Sequence, residues 1–130
     1  MLKTADPVVF FLFWGDLLRS KKVLKMNYEF NRVYRKGQRR NGEGLCLYWF
    51  KRKGRGRRVG FTVSRKLRGA VKRNRVKRVW REIYRKHEER LVDGVDLIIL
   101  GRSEAVPGSF QDLEKSFLAT ARAASLLKDE

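Results

Sequence analysis

The middle of the chain carries an almost unbroken block of positive charge. From Arg32 to Arg81 there are 20 Lys and Arg residues and a single acid, Glu43. Long blocks of like charge are typical of disordered tails, but here apolar residues recur at helix and strand spacings. The block therefore belongs to a folded domain with a strongly cationic surface. The whole chain of 130 residues has a formal net charge of +18, which repels itself in the compact state and indicates a polyanionic partner.

Composition excludes several classes of protein. The only cysteine, Cys46, excludes an intramolecular disulfide framework and a multi-cysteine zinc site. The only histidine, His87, leaves no histidine-based metal cluster. No stretch reaches the roughly 18 consecutive apolar residues that a membrane span needs. The length fits one domain.

The first 19 residues form an atypical apolar extension to a single domain over residues 20–130. The segment from Pro7 to Leu18 is too short to span a bilayer and lacks the basic region and cleavage site of a signal peptide. Three interpretations stay open. The extension has no essential role, as with a wrongly chosen upstream start codon, or it packs on the domain, or it mediates self-association or membrane contact.

Hydrophobic periodicity predicts six elements in the order α-β-β-α-β-α, which is typical of an α/β or α+β sandwich of one sheet and its helices. The predicted helices are 27–36, 70–87 and one with Ser109 as N-cap, and the predicted strands are 45–50, 57–64 and 95–100. Gly37 is the expected end of the first helix, and Asp112 is a capping-box partner for Ser109. The basic, glycine-containing segment between the first two strands predicts a hairpin loop.

The predicted helix over residues 70–87 has one apolar arc and one polar arc. Its polar arc consists of Asn74, Lys77, Arg78, Arg81 and Arg85. Residues three and four apart on a helix lie about 5–6 Å from each other, a spacing that suits contacts to successive phosphates. Because this arc carries no compensating acid, it favours nucleic-acid binding over a merely solvated face.

The sequence offers no convincing catalytic constellation. No histidine is placed to activate Ser64, and the acids are scattered. Asp93 and Asp96 flank the start of a strand, where we expect turn and solvent roles. His87 falls on the apolar arc of its helix and is expected to be structural, and Cys46 is expected to be a small buried hydrophobe. The chain also lacks the phosphate-binding motif GxxxxGK[ST].

Aromatic residues before and within the basic block are a second signal. Phe30 and Tyr34 share one face of the first predicted helix, where they either fill the core or offer a stacking surface. Tyr48 and Trp49 point to opposite faces of their strand, so one of them can be exposed. Stacking on single-stranded bases contributes about 1–3 kcal/mol per base and needs no particular sequence.

The ordered motif of the block resembles the signature of the bacterial ribonuclease P protein subunit. It consists of Val59-Gly60-Phe61-Thr62-Val63-Ser64-Arg65-Lys66, Ala70-Val71, Arg73-Asn74-Arg75-Val76-Lys77-Arg78 and Arg81-Glu82. Upstream, the family's opening motif is matched by Leu24-Lys25, Asn27, Glu29-Phe30, Val33-Tyr34 and Gly37. The resemblance covers about residues 20–127.

The resemblance implies a fold like that of the second domain of ribosomal protein S5. That fold is α+β, with helices packed on one mainly antiparallel sheet of about four strands. It includes a left-handed strand–helix–strand crossover, whereas the general rule for such units predicts a right-handed one.

The resemblance also implies a function. Proteins of this family bind a catalytic RNA in the cytoplasm, and the pair removes the 5′ leader of precursor tRNA, leaving a 5′-phosphate. Mg²⁺ held mainly by the RNA carries the chemistry, and neither a membrane nor another protein is required. By position, the residues for binding the RNA subunit are Arg73, Asn74, Arg75, Lys77, Arg78 and Arg81. Those for the leader cleft are Phe30, Tyr34, Tyr48, Arg65 and Lys66.

Three alternatives remain at this stage. The first is a general basic RNA-binding or ribosome-associated protein without a role in cleavage. The second is a peripheral membrane protein that uses the apolar extension, and the third is a nuclease that needs no RNA subunit. Whether the arginine-rich segment from Lys51 to Arg58 contacts RNA is also open.

Overall fold

In the computed structural model of the chain, the described residues are 23–24, 26–52, 56–102 and 109–128. They form helices α1 (Asn27–Lys36), α2 (Ala70–His87) and α3 (Phe110–Ala123) and strands β1 (Gln38–Gly42), β2 (Leu45–Lys51), β3 (Arg57–Val63) and β4 (Val95–Gly101). The apolar extension over residues 1–19 lies outside the described residues, so its three interpretations stay open. Within the described residues, no helix is long and apolar enough to cross a membrane.

The four strands form one mixed sheet in the order β1-β2-β4-β3. β2 pairs antiparallel with both β1 and β4, while β3 pairs parallel with β4. The predicted α+β fold with a mainly antiparallel sheet is therefore confirmed. The chain passes from β3 through α2 to its parallel neighbour β4, as the crossover requires, and the handedness of that crossover stays a prediction.

Two features of the sheet differ from the expectation. The segment between β2 and β3 is not a hairpin, because β4 lies between these two strands. The element pattern also missed β1, whose sequence Gln-Arg-Arg-Asn-Gly contains no apolar side chain. β1 is an edge strand that is almost entirely exposed, so burial leaves no alternation in its sequence. It joins β2 through a two-residue turn in which Gly44 adopts a φ of 78°.

The ends of the helices follow the sequence signals. α1 and α2 have the predicted bounds. The N–H of Gly37 donates to the Val33 carbonyl at 2.9 Å and closes α1. Ser109 Oγ accepts from the Asp112 N–H at 3.2 Å at the start of α3, which confirms Ser109 as the N-cap.

The larger core lies between the sheet and the helices α2 and α3. Its fully buried side chains include Trp80 from α2, Phe117 from α3 and Leu47 from β2. α2 packs closely on β4, where a side chain at Gly101 would clash with Val76. The packing of α2 and α3 buries this face of the sheet.

The opposite face of the sheet is only partly covered. Helix α1 packs there through Val33, which with Leu24 and Ile98 forms a small second core. Phe30 lies against β3 so closely that a Cβ at Gly60 would be 2.6 Å from its Cζ. Among the described residues, no other element covers the remainder of this face beside α1.

Candidate nucleic-acid interface

An open cleft of about 410 Å³ occupies the uncovered part of the sheet beside α1. Its lining residues are Arg39, Asn41, Cys46, Tyr48, Ser64, Lys66, Leu100 and Arg102. Three of them are cations and none is an acid. A concave surface with this charge attracts anions and raises their local concentration.

Two tyrosines supply ring surface at one side of the cleft. Tyr48 lines the cleft, and the ring of Tyr34 meets it edge-on at 4.8 Å between centroids. Tyr34 is 40% exposed, so its ring is accessible to a ligand. Burial raises the pKa of both hydroxyls, so the two rings stay uncharged at neutral pH and do not repel a phosphate backbone.

The structure brings together most of the residues predicted for this cleft. Tyr48 and Lys66 line it, and Tyr34 contacts Tyr48. The ring of Phe30 lies 6.5 Å from that of Tyr34 and is half-buried, so it supports the cleft wall from the core side. Arg65 is exposed in the same loop as Lys66 but is not part of the lining.

Sequence reasoning missed three polar residues of the cleft. Arg39 and Asn41 alternate along β1 and lie opposite Tyr48 and Cys46 in the sheet register. Arg102 follows β4. Because β1 has no alternation of apolar and polar residues, the strand was not predicted, and its two cleft residues gave no signal in the sequence. Cys46 is buried as expected, and burial raises the pKa of its thiol, which makes it unreactive.

The first turns of α2 form a second cationic surface. Among its first six residues, all except Arg73 are exposed, and Val71 is 74% exposed. The first turn contains no acid, and the N-cap is Gly69, which offers no capping side chain. The positive end of the helix dipole repels cations at a helix N-terminus. The N–H groups of the first turn, which have no acceptor within the helix, favour an anion there. This end of α2 is therefore suited to phosphate, with Lys72, Asn74 and Arg75 as exposed side chains.

Arg73 connects the second surface to the cleft. Its Nη1 donates to the carbonyls of Ser64 and Leu67 at 3.2 and 3.0 Å. Ser64 and Lys66 line the cleft, so this arginine holds the edge of the cleft against α2. Its structural role is the positioning of the loop that joins the two surfaces.

The rest of the predicted basic row is progressively less accessible. Lys77 and Arg78 are half-buried, and Arg81 is only 2% exposed, which corrects its placement on an open polar arc. Burial, together with the charge of Arg78, lowers the pKa of Arg81 to about 10. Helical periodicity defines which residues share an arc, but not how much of that arc the neighbouring elements cover.

A buried carboxylate near the start of β4 organises two arginines. Asp96 has no exposed surface, which corrects its expected solvent role. It accepts hydrogen bonds from Arg52 at 2.7 Å and from Arg58 at 2.9 and 2.7 Å. Burial alone would raise the pKa of Asp96, but the hydrogen bonds from Arg58 and Arg52 outweigh it and lower the pKa below its ordinary value. Arg58 also donates to Glu29 of α1 at 2.6 Å, so this network fixes α1 on the sheet.

The network accounts for much of the charge between β2 and β3. Arg52 and Arg58 bind Asp96, and Arg57 Nη1 donates to Asp93 at 2.9 Å and to the Leu91 carbonyl at 2.7 Å. These three arginines therefore stabilise the fold. RNA contact by the segment from Lys51 to Arg58 stays a prediction, since residues 53–55 lie outside the described part of the chain.

His87 has the structural role expected of it. Its Nε2 lies 2.7 Å from Glu114 Oε2 on α3, and its ring stacks on Phe117. Lys86 and His87 bind the same carboxylate, and their hydrogen bonds lower the pKa of Glu114. This group ties α2 to α3 on the side of the sheet away from the cleft.

Comparison with known proteins points to one family. The sequence model described as Ribonuclease P matches residues 18–125. A protein of Natranaerobius thermophilus called "Ribonuclease P protein component" is 36% identical over 106 residues, which cover 82% of this chain and 92% of that protein. A protein of the same name from Desulforamulus reducens is 40% identical over 92 residues, covering 71% of this chain and 81% of that protein.

Solved structures give the same result. The ribonuclease P protein of Staphylococcus aureus superposes with a TM-score of 0.75 at 27% identity, over 84% of this chain and 100% of that one. The protein from Thermotoga maritima gives a TM-score of 0.70 at 23% identity, over 78% and 97% of the two chains. At that identity, the second likeness shows the fold alone.

Proposed function

The chain belongs to the ribonuclease P protein family, and on that premise we propose that it binds two RNAs at once. As a family member it is a tRNA-processing subunit of a ribonuclease complex. In our proposal, the exposed end of α2 binds the catalytic RNA and the cleft binds the single-stranded 5′ leader of precursor tRNA. The complex then removes the leader and leaves a 5′-phosphate on the mature tRNA.

One observation carries this proposal. The cleft and the start of α2 are two adjoining cationic surfaces without an acid. Arg73 of α2 joins them through its hydrogen bonds to the loop that carries Ser64. A protein that holds two polyanions must overcome their mutual repulsion, and adjoining cationic surfaces do so. The cleft adds accessible tyrosine rings, which suit unpaired bases of variable sequence.

In this proposal the protein positions RNA, and the RNA subunit holds the Mg²⁺ that carries the chemistry. When bound, Mg²⁺ activates the attacking water and stabilises the leaving oxygen. Among the described residues, no three His, Cys, Asp or Glu side chains lie together as metal ligands. The carboxylates of Asp96 and Glu29 bind arginines instead. We further propose a cytoplasmic location, where the two RNA partners are made, and no other protein partner.

Reconstituted cleavage tests the proposed function. Precursor tRNA is incubated at low Mg²⁺ with a bacterial ribonuclease P RNA alone, with the protein alone, and with both. We expect efficient cleavage only in the mixture, with a 5′-phosphate on the tRNA product. Cleavage by the protein alone would make it a self-sufficient nuclease. Binding of RNA without stimulation of cleavage would favour the general RNA-binding alternative.

Removal of one accessible ring is expected to weaken binding of the leader. Tyr34→Ala should weaken binding of precursor tRNA to the complex of protein and RNA subunit. The loss in binding free energy should be about 1–3 kcal/mol, because one base is no longer stacked. Tyr34→Phe keeps the ring and should retain most of the affinity. Affinity for mature tRNA, which has no leader, should be the same for all three proteins. Equal losses for precursor and mature tRNA would contradict a leader contact at this ring.

A further inference from the structure

The outer face of α1, which points away from the sheet, forms a groove separate from the cleft. The groove has a volume of about 480 Å³, and its lining residues are Tyr28, Asn31, Arg32, Arg35 and Lys36. They recur at spacings of three and four along the helix, so they form one stripe. Tyr28 is 63% exposed, which makes it the most exposed aromatic side chain among the described residues.

The internal packing of α1 leaves this stripe without an acid, so its charged residues are all cations. The only acid of the helix, Glu29, turns inward, where it accepts from Arg58 at 2.6 Å and from the Met26 N–H at 2.9 Å. Within the described part of the chain, no hydrogen bond or ion pair joins Arg32, Arg35 or Lys36 to another protein group. The groove contains three cations and no carboxylate, so its charge is complementary to that of a phosphate backbone.

The end of the stripe adjoins cleft residues along the chain. Tyr34, which contacts the cleft residue Tyr48, immediately precedes Arg35 and Lys36. After Lys36 the chain passes through Gly37 and Gln38 to Arg39, which lines the cleft. A strand that leaves the cleft beside Tyr34 therefore meets the stripe next.

We propose that the outer face of α1 binds the part of the 5′ leader that extends beyond the cleft. Arg32, Arg35 and Lys36 contact its phosphates, and Tyr28 stacks on one of its bases. Cations that follow a backbone next to an exposed aromatic ring are the arrangement by which proteins bind single-stranded nucleic acid. This inference rests on the proposed function, because it extends the path of the leader from the cleft.

A leader-length series tests the proposal. Binding to the complex of full-length protein and RNA subunit is measured for precursor tRNAs with leaders of about 5 and about 15 nucleotides, which span the usual site sizes of single-strand-binding surfaces. The variant Arg35→Gln/Lys36→Gln is compared with Lys115→Gln/Lys128→Gln, which removes the same charge from exposed residues of α3 and the C-terminal segment. Thermal unfolding shows that both variants are folded.

We expect the wild type and the control variant to bind the long leader about tenfold more tightly than the short one. The outer-face variant should lose this gain in affinity. For the long leader, the slope of its log affinity against log salt concentration should fall in magnitude by about 1.4, because two phosphate contacts are lost. Tyr28→Ala should lose part of the gain and Tyr28→Phe should keep it.

Two results would overturn the inference while leaving the proposed function intact. One is a wild type that stimulates cleavage but shows no gain from the longer leader. The other is an outer-face variant that keeps the gain in full. Failure of the proposed function is a different result, since the wild type would then not stimulate cleavage at either leader length.

Discussion

Replacement of Asp96 by alanine is expected to lower the free energy of unfolding by about 3–5 kcal/mol. Asp96 is fully buried and accepts three hydrogen bonds from Arg52 and Arg58. Without it, two arginines face each other in a partly buried site with no carboxylate between them, and Arg58 no longer holds α1 through Glu29 in the same geometry. Denaturant unfolding of the two proteins measures the difference.

Asp93→Ala is the matched control for this prediction. Asp93 also forms an ion pair with an arginine, Arg57, at 2.9 Å, but its side chain is 58% exposed. Exposed pairs contribute about 0–1 kcal/mol, so this variant should unfold almost like the wild type. Equal small losses for the two aspartates would contradict a structural role for the buried network.

The same network predicts that the free energy of unfolding depends on pH. The pKa of Asp96 is lower in the folded protein than in the unfolded chain, where it is about 3.9. The stabilisation by its charge is therefore complete above about pH 3.9 and is lost as the pH falls through the lower, folded-state pKa. We expect Asp96→Asn to remove this part of the acid sensitivity and Asp93→Asn to leave it unchanged.

Removal of three α2 cations that form no ion pair in the described part of the chain is expected to weaken binding of the RNA subunit about 100-fold at moderate salt. The variant is Lys72→Gln/Arg75→Gln/Lys77→Gln. No ion pair within the described residues engages these three side chains, so their loss should leave the fold intact. The slope of log affinity against log salt should fall by about 2–3, because each phosphate contact contributes about 0.7–0.9. Filter binding over a range of salt concentrations measures both quantities.

The control for this second prediction removes three exposed cations from α3 and the C-terminal segment, at Lys115, Arg122 and Lys128. It changes the net charge by the same amount, so it should produce only a small, non-specific loss of affinity. If the two triple variants weaken RNA binding equally, overall charge explains the binding, and α2 is not a specific contact surface.

The sequence predicted the helices and strands that bury one face, because apolar residues recur in them at a regular spacing. α1 and α2 were predicted with their observed bounds, and Gly37 and Ser109 were recognised as helix ends. β1 was missed because an exposed edge strand has no buried face. The strand order could not be read either, since the placement of β4 between β2 and β3 depends on long-range pairing.

The candidate site was predictable in its residue types but not in their accessibility. Lys66 and Tyr48 line the cleft and the start of α2 is exposed, while their roles in RNA binding stay predictions. Arg81 was predicted on an open, RNA-binding arc and Asp96 in a turn or solvent role, but both are buried, because sequence position does not show what packs over a residue. Arg52, Arg57 and Arg58 show the same limit, since their partners Asp93 and Asp96 lie more than 30 residues away in the sequence.

The most direct test of the account is the preference of the enzyme for precursor over mature tRNA. The ratio of the two affinities is measured for the RNA subunit alone and for the same RNA saturated with protein. We predict that the wild type raises this ratio, that the α2 triple variant also raises it once saturation is reached, and that Tyr34→Ala raises it much less. A ratio that is the same with and without the wild-type protein would contradict the claim that this chain binds the 5′ leader.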